Sequence, residues 1–236
     1  MKKTGITLLI ALTTLFSNHC YATWSIIAVD HKTGEIGIVG ASCTFDVSGI
    51  ASIVPGKGAI VIQAASNYYA RMQGVELMEN GATLEKILEA MMKDEFQPER
   101  QQYGLILLDS ETKPLVYSGS KIQQWNGEKL GNDFLVMGNI LAGEKVILNA
   151  YKAFDENRDK TLAERLMLAL KAGEEAGGDK RCETQYARSA FIMVYNPEDG
   201  AILKLAIQGI EKGGKPAVTL LNEQFNFWRK EDKDKK

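Results

Sequence analysis

The sequence predicts an α+β fold in which antiparallel sheets are flanked by segregated helix layers. Three observations carry that expectation. Blocks of strand-like segments alternate with pairs of helices, and a single helix closes the chain, an order that disfavours a βαβ alternation. The composition, 45% apolar and 25% charged, is that of a globular chain able to bury a core. No linker, internal repeat or low-complexity stretch divides the 236 residues, so a single domain over residues 23–228 is the economical reading.

Each element follows from local pattern. Trp24 to Val29 is β-branched and aromatic, Asp30-His31-Lys32-Thr33-Gly34 is a turn, and Glu35 to Ala41 is a second strand, so the three form a hairpin. Ala59 to Ala65 reads as a buried strand. Tyr69 to Asn80 reads as a helix stopped by Gly81. Leu84, Ile87, Leu88, Met91 and Met92 recur at helical spacing, with the methionines as core packing. Gly104 to Asp109 and Leu115 to Ser118 form a strand pair. Gln124-Trp125-Asn126-Gly127 is a turn, because Asn-Gly accepts positive φ. Phe134 to Met137 is a strand that runs into Gly138-Asn139. Val146, Ile147, Ala150, Tyr151 and Phe154 mark a third helix. Thr161-Leu162-Ala163-Glu164 is a capping box opening a fourth, which ends near Gly173. Ala190 to Tyr195 and Ala201 to Ile207 are strands joined through Asn196-Pro197-Glu198-Asp199-Gly200. Ala217 to Phe227 is the last helix, and residues 229–236 form a charged tail expected to fray.

Charge and motif content exclude several function classes. Twenty-eight Lys+Arg against 30 Asp+Glu give a formal charge of −2, without the basic excess of a nucleic-acid surface. There is no Cys-x-x-Cys, His-Glu-x-x-His or Gly-x-Ser-x-Gly. Gly56-Lys57-Gly58 lacks the spacing of a phosphate loop. No metal and no cofactor are therefore expected.

The first 22 residues read as an address. Lys2 and Lys3 precede an uncharged apolar run from Ile6 to Phe16. A polar stretch then ends with Cys20 and Ala22 at the −3 and −1 positions of a cleavage site, which is the pattern of a secretory signal peptide. The run is too short for a permanent membrane anchor. A buried N-terminal helix is the bland alternative. A lipoprotein signal would need small residues where Asn18 and His19 stand. Cleavage places the protein in the periplasm or outside the cell, and it leaves His31, on the hairpin tip, as the one remaining histidine of two.

Cleavage also makes Thr23 the first residue. A free N-terminal Thr carries a nucleophilic hydroxyl and an α-amine base on one residue. An α-amine titrates near pH ~8, so part of it is neutral at pH 7. With His31 read as a solvated turn residue, this self-contained pair is the attractive source of hydrolytic chemistry.

Thr23-Trp24-Ser25-Ile26-Ile27-Ala28-Val29-Asp30, Thr33-Gly34-Glu35-Ile36-Gly37, Gly40-Ala41-Ser42, and Gln63-Ala64 with Asn67 together resemble the family called domain of unknown function 1028. So do Gly138-Asn139-Ile140-Leu141-Ala142-Gly143, Ala163-Glu164-Arg165-Leu166 and the long run from Ala172 to Arg181, so the resemblance spans residues 23 to 208. It implies the fold of the N-terminal nucleophile hydrolases, a four-layer αββα sandwich, and cleavage of amide bonds. Thr23 is then the nucleophile and base, and Asn139 the donor to an oxyanion, unless Asn139 is only a turn residue. Asp179 holds the α-amine and Arg181 clamps a substrate carboxylate, unless the two are only a structural ion pair. Ser42 and Asn67 are second-tier polar candidates. Cys43 and Cys182 stand where the family has other residues; both flank motif stretches and are expected to form a disulfide. It would close a loop of about 140 residues and contribute ~3–5 kcal/mol in the chain-entropy model.

The resemblance implies a small amide or peptide substrate, with cell-wall fragments among the candidates, and leaves assembly into a homo-oligomer open. Two other readings share the fold: a non-catalytic binding or assembly protein, and a receptor for an anionic small molecule centred on Arg181.

Overall fold

The computed structural model describes residues 22–123 and 125–234. The signal-peptide reading therefore lies outside the described residues, apart from Ala22. The turn expected at 124–127 includes Gln124, which also lies outside them.

Among the described residues, ten strands form two antiparallel sheets. Six strands make the larger sheet. They are β1 (Thr23–Asp30), β2 (Glu35–Ser42), β7 (Gly127–Leu130), β8 (Phe134–Asn139), β9 (Ser189–Tyr195) and β10 (Ile202–Ile207), in the order β10-β9-β2-β1-β8-β7. The smaller sheet has the order β3-β4-β5-β6, from β3 (Ala51–Val54), β4 (Gly58–Ala64), β5 (Gln101–Leu107) and β6 (Leu115–Ser118). The helices α1 (Tyr68–Glu79) and α2 (Leu84–Met91) cover the smaller sheet. On the larger sheet lie α3 (Glu144–Asp155), α4 (Leu162–Glu175) and α5 (Ala217–Asp234).

Strand alternation divides the interior into three cores. Trp24, Ile26 and Ala28 of β1 pack with α3, α4 and α5. Ile27 and Val29, one residue out of phase, pack with Ala59, Val61 and Ile106 of the smaller sheet. Ile60, Ile62, Tyr103 and Leu105 turn the other way, onto α1 and α2. The result is the expected sequence of layers: helices, sheet, sheet, helices.

Two glycines let α4 lie close to the larger sheet. A Cβ on Gly37 would come within 2.4 Å of Leu166 Cδ1, and one on Gly173 within 2.6 Å of Trp24 Nε1. The buried indole donates to Leu170 O at 3.3 Å, so the close approach also satisfies its N–H.

Two strands are not expected from the sequence, and one expectation changes. The strand β3 is short, and the strand β7 is a polar, mostly exposed edge, so neither stands out in the hydrophobic pattern. The last helix does not stop at Phe227 but runs through Asp234. Trp228 stacks on Phe225 at 5.7 Å, and Arg229 pairs with Glu164 of α4, which gives the segment expected to fray a partner on α4. Thr161 caps α4 through the expected capping box.

Glu174 of α4 is buried against the start of α5. Its Oε2 accepts from Thr219 Oγ1 at 3.2 Å, while Oε1 has no partner among the described residues. Burial pushes its carboxyl from the ordinary 4.5 up to about 7, against the hydrogen bonds from Thr219 and the Val218 amide. The folded state thus binds this proton more tightly than the unfolded chain. That contribution to stability is fully present below about pH 4.5 and is lost as pH rises through about 7. Glu174→Gln removes the loss. Urea denaturation should show the variant more stable than the parent at pH 8, by up to about 3 kcal/mol. At pH 4.5 the two should be close; a gap independent of pH would assign the effect to packing.

Candidate functional site

The strand β1 is paired along both edges. Thr23 lies opposite Ser42 on β2 and opposite Asn139 on β8. Cross-strand partners share a face, so all three face the smaller sheet. All three are buried in the full chain.

The space between the sheets changes character along β1. At one end it is filled by Ile27, Val29, Leu135 and Met137. At the other end the same face carries Ser25 and Thr23. Opposite them, β4 supplies Gln63 and β5 supplies Gln102, both buried. Ser25 Oγ donates to Gln63 Oε1 at 2.8 Å. Gln63 Nε2 donates to Gln102 Oε1 at 2.7 Å and reaches Asn139 Oδ1 and Thr23 O at 3.3 Å each. Gln102 Nε2 continues to Ser118 Oγ at 3.0 Å. This network fixes Asn139 with its oxygen toward Gln63, so the Nδ2 end of the amide is the donor end.

A second set of bonds holds the residue before Thr23. Ala22 O accepts from Ser42 Oγ at 2.5 Å and from Arg181 Nη2 at 3.1 Å. The buried Asp179 carboxylate accepts from the Arg181 N, Nε and Nη2 groups at 2.7–3.1 Å, and from the Cys43 amide at 2.6 Å. The Asp179–Arg181 pair is thus tied to the end of β2. The disulfide Cys43–Cys182, with Cα atoms 5.6 Å apart, adds a covalent tie at the same place.

Backbone strain marks the same region. Of the non-glycine residues with positive φ, Ala64 (67°) ends β4 and Ile140 (52°) follows Asn139. Glu183 (49°) and Tyr186 (62°) belong to the turn after Asp179. The conformation is costly for a β-branched residue such as Ile140, and such outliers cluster at functional sites. Ile140 is held there: its carbonyl accepts from Lys180 N at 3.3 Å, and the next amide, Leu141 N, donates to Trp125 O at 3.0 Å.

A pocket of about 290 Å³ opens beside Thr23, between the Thr44–Ile50 segment and the end of β4 at Ala64 and Ser66. The structure therefore brings Thr23, Ser42, Asn139, Asp179, Arg181 and the disulfide to one end of the sandwich. Asn67 acts elsewhere, as the N-cap of α1, with its Oδ1 accepting from Ala70 N at 3.1 Å. His31 is exposed on the hairpin tip, with Nδ1 3.0 Å from Leu108 O. Motif reading does not single out Ser25, Gln63 or Gln102 as site residues, although Ser25 and Gln63 stand in stretches that carry the family resemblance. Their signal is period two: Thr23 and Ser25 continue the face of Ile27 and Val29 in polar residues, as Gln63 does for Ala59 and Val61.

Among the described residues no helix is long and apolar enough to cross a membrane, and no cluster of His, Cys, Asp and Glu is arranged to hold a metal.

A model of a family of unknown function, DUF1028, matches residues 23–214. The crystal structure of protein SPO2555 from Silicibacter pomeroyi, of the same family, superposes with a TM-score of 0.73. It is 23% identical, over 87% of this chain and 85% of that one. No curated protein shows significant similarity.

Two outcomes follow for stability. Replacing Cys43 and Cys182 by Ser should cost ~2–5 kcal/mol in chemical denaturation. Gln63→Leu leaves Ser25 Oγ, Gln102 Oε1 and Asn139 Oδ1 without their buried partner and should cost about 2–4 kcal/mol. A cost below about 1 kcal/mol would mean that the network is not what orders this end of the sandwich.

Proposed function

The chain belongs to the DUF1028 family, and from that premise and the geometry around Thr23 we propose that it is a secreted amide hydrolase of the N-terminal nucleophile type, acting on a small amide or peptide. The observation that carries the reading is the position of Thr23. It begins a strand fixed on both edges, borders a pocket, and follows a carbonyl gripped by Ser42 and Arg181. The leader pattern of residues 1–22 and the Cys43–Cys182 bond support secretion, since disulfides persist in oxidising compartments.

Removal of residues 1–22 would turn the Thr23 amide nitrogen into an α-amine. In the uncleaved chain the Arg181 guanidinium stands within about 5 Å of that nitrogen, from its distance to Ala22 O and ordinary peptide geometry. A cation at that range disfavours protonation of the amine, and Asp179 offsets part of the effect. Thr23 Oγ1 attacks the substrate carbonyl while the amine takes its proton. Asn139 Nδ2 stabilises the oxyanion. Collapse breaks the C–N bond, and the leaving amine takes the proton from the Thr23 ammonium. Water, deprotonated by the same amine, then hydrolyses the ester on Thr23 and regenerates the hydroxyl.

The second reading is a binding protein on the same fold. It is favoured by the engagement of Asp179 and Arg181 with each other and with the Arg181, Cys43 and Ala22 backbone, which is what a structural ion pair does. Kinetics separate the two. With protein beginning at Thr23, Thr23→Ala should lower amide turnover by roughly 10³-fold or more and leave ligand binding intact, Thr23→Ser should retain part of the rate, and kcat/KM should rise with pH through the amine titration, near ~8 or below. Undiminished turnover in Thr23→Ala would end the hydrolase reading.

A further inference from the structure

The pocket beside Thr23 has a definite chemistry. Its walls are mainly apolar: Phe45, Val47, Ile50 and Ala64. Among the described residues that line it, the one charged side chain is Asp46, whose Oδ1 is already taken by Ser48 N and Oγ at 2.8 Å each, and there is no Lys, Arg or His. Phe45 is 70% exposed, yet its ring is placed, because Gly209 lies against it and a Cβ there would come within 2.5 Å of the ring. Gly209 N also donates to Phe45 O at 2.7 Å. The floor at Ala64 is held in a strained, left-handed conformation. A volume of about 290 Å³ accommodates roughly ten non-hydrogen atoms.

We propose that this pocket receives the acyl side of the substrate, and that the acyl group is uncharged and apolar: an aliphatic chain of about six carbons or a phenylacetyl-sized aromatic group. The proposal rests on the reading of Thr23 as the nucleophile, which puts the scissile carbonyl at the pocket's edge and its acyl substituent inside. A carboxylate on that substituent would meet apolar walls and the Asp46 carboxylate with no cation among the described lining residues to pair with, and burying it unpaired is costly. Among the described lining residues an ammonium would find Asp46 alone, its Oδ1 already accepting from Ser48, against mainly apolar walls. Each methylene moved from water to these walls should raise kcat/KM about three- to four-fold until the pocket is full.

The test uses p-nitroanilides of acetyl, butyryl, hexanoyl, phenylacetyl, succinyl and lysyl groups with protein beginning at Thr23. Two substitutions add bulk at residues that line the pocket. Ile50→Trp adds bulk from the lining. Gly49→Leu does so with little risk to folding, because a Cβ at Gly49 meets nothing within 4 Å. Expected are a rise from acetyl to hexanoyl, poor use of succinyl and lysyl, and a hexanoyl-to-acetyl ratio lowered about tenfold or more by either substitution. Preference for succinyl or lysyl, or a ratio unchanged by both substitutions, overturns the proposal while leaving the hydrolase reading standing. Calorimetry of hexanamide and phenylacetamide on Thr23→Ala protein separates the two claims. Binding that Gly49→Leu abolishes, with no turnover of any anilide by the parent, keeps the apolar site and removes the hydrolase. Absence of both binding and turnover overturns the site.

Discussion

The strand β1 is the constraint on which the rest depends. It is bonded to β2 on one edge and β8 on the other, and covered on one face by helices and on the other by the second sheet. Such a strand has no freedom of register, because a slip of one residue would drive Trp24 and Ile26 into the space between the sheets and polar Ser25 into the helix layer. The same alternation that buries Ile27 and Val29 delivers Ser25 and Thr23 to one end of the inter-sheet space. The candidate site is therefore a consequence of the core and is not an ornament on a loop.

What surrounds Thr23 is assembled from distant parts of the chain. The end of β2 brings Ser42 and Cys43; the end of β8 brings Asn139 and the strained Ile140; the turn after α4 brings Asp179, Arg181 and Cys182. Asp179 links two of these pieces by accepting from both the Cys43 amide and Arg181, and the disulfide links the same two covalently. Buried polar groups of this kind are costly unless paired, and here Gln63 and Asp179 supply most of the pairing. The rigidity so obtained is what the proposed chemistry, with a nucleophile, an amine and a donor in fixed relation, would require.

Much of this is legible in the sequence, for identifiable reasons. The hairpin of β1 and β2, the capping box at Thr161 and the helical spacing of Leu84, Ile87 and Met91 are local signals, and local signals survive folding. The pairing of Cys43 with Cys182 and the gathering of Thr23, Asn139 and Asp179 come through the family resemblance, since no local rule connects residues that far apart. The strands β3 and β7 are invisible because a four-residue strand and a polar edge leave little hydrophobic pattern. The extension of α5 to Asp234 depends on Arg229 meeting Glu164, a contact between helices that no window on the tail contains. The role of Asn67 is misplaced by the sequence because an N-cap and a site residue look alike until the helix start is known.

The central claim is that Thr23 becomes both nucleophile and base when the residues before it are removed. The most direct measurement is the intact mass and N-terminal sequence of the protein recovered after expression of all 236 residues in a cell with a secretory pathway. A chain starting at Thr23 with a free, labelable α-amine is the predicted result. A chain retaining Ala22, or one whose first amine is blocked, would contradict the account, because an amide nitrogen at Thr23 cannot accept the proton the mechanism requires.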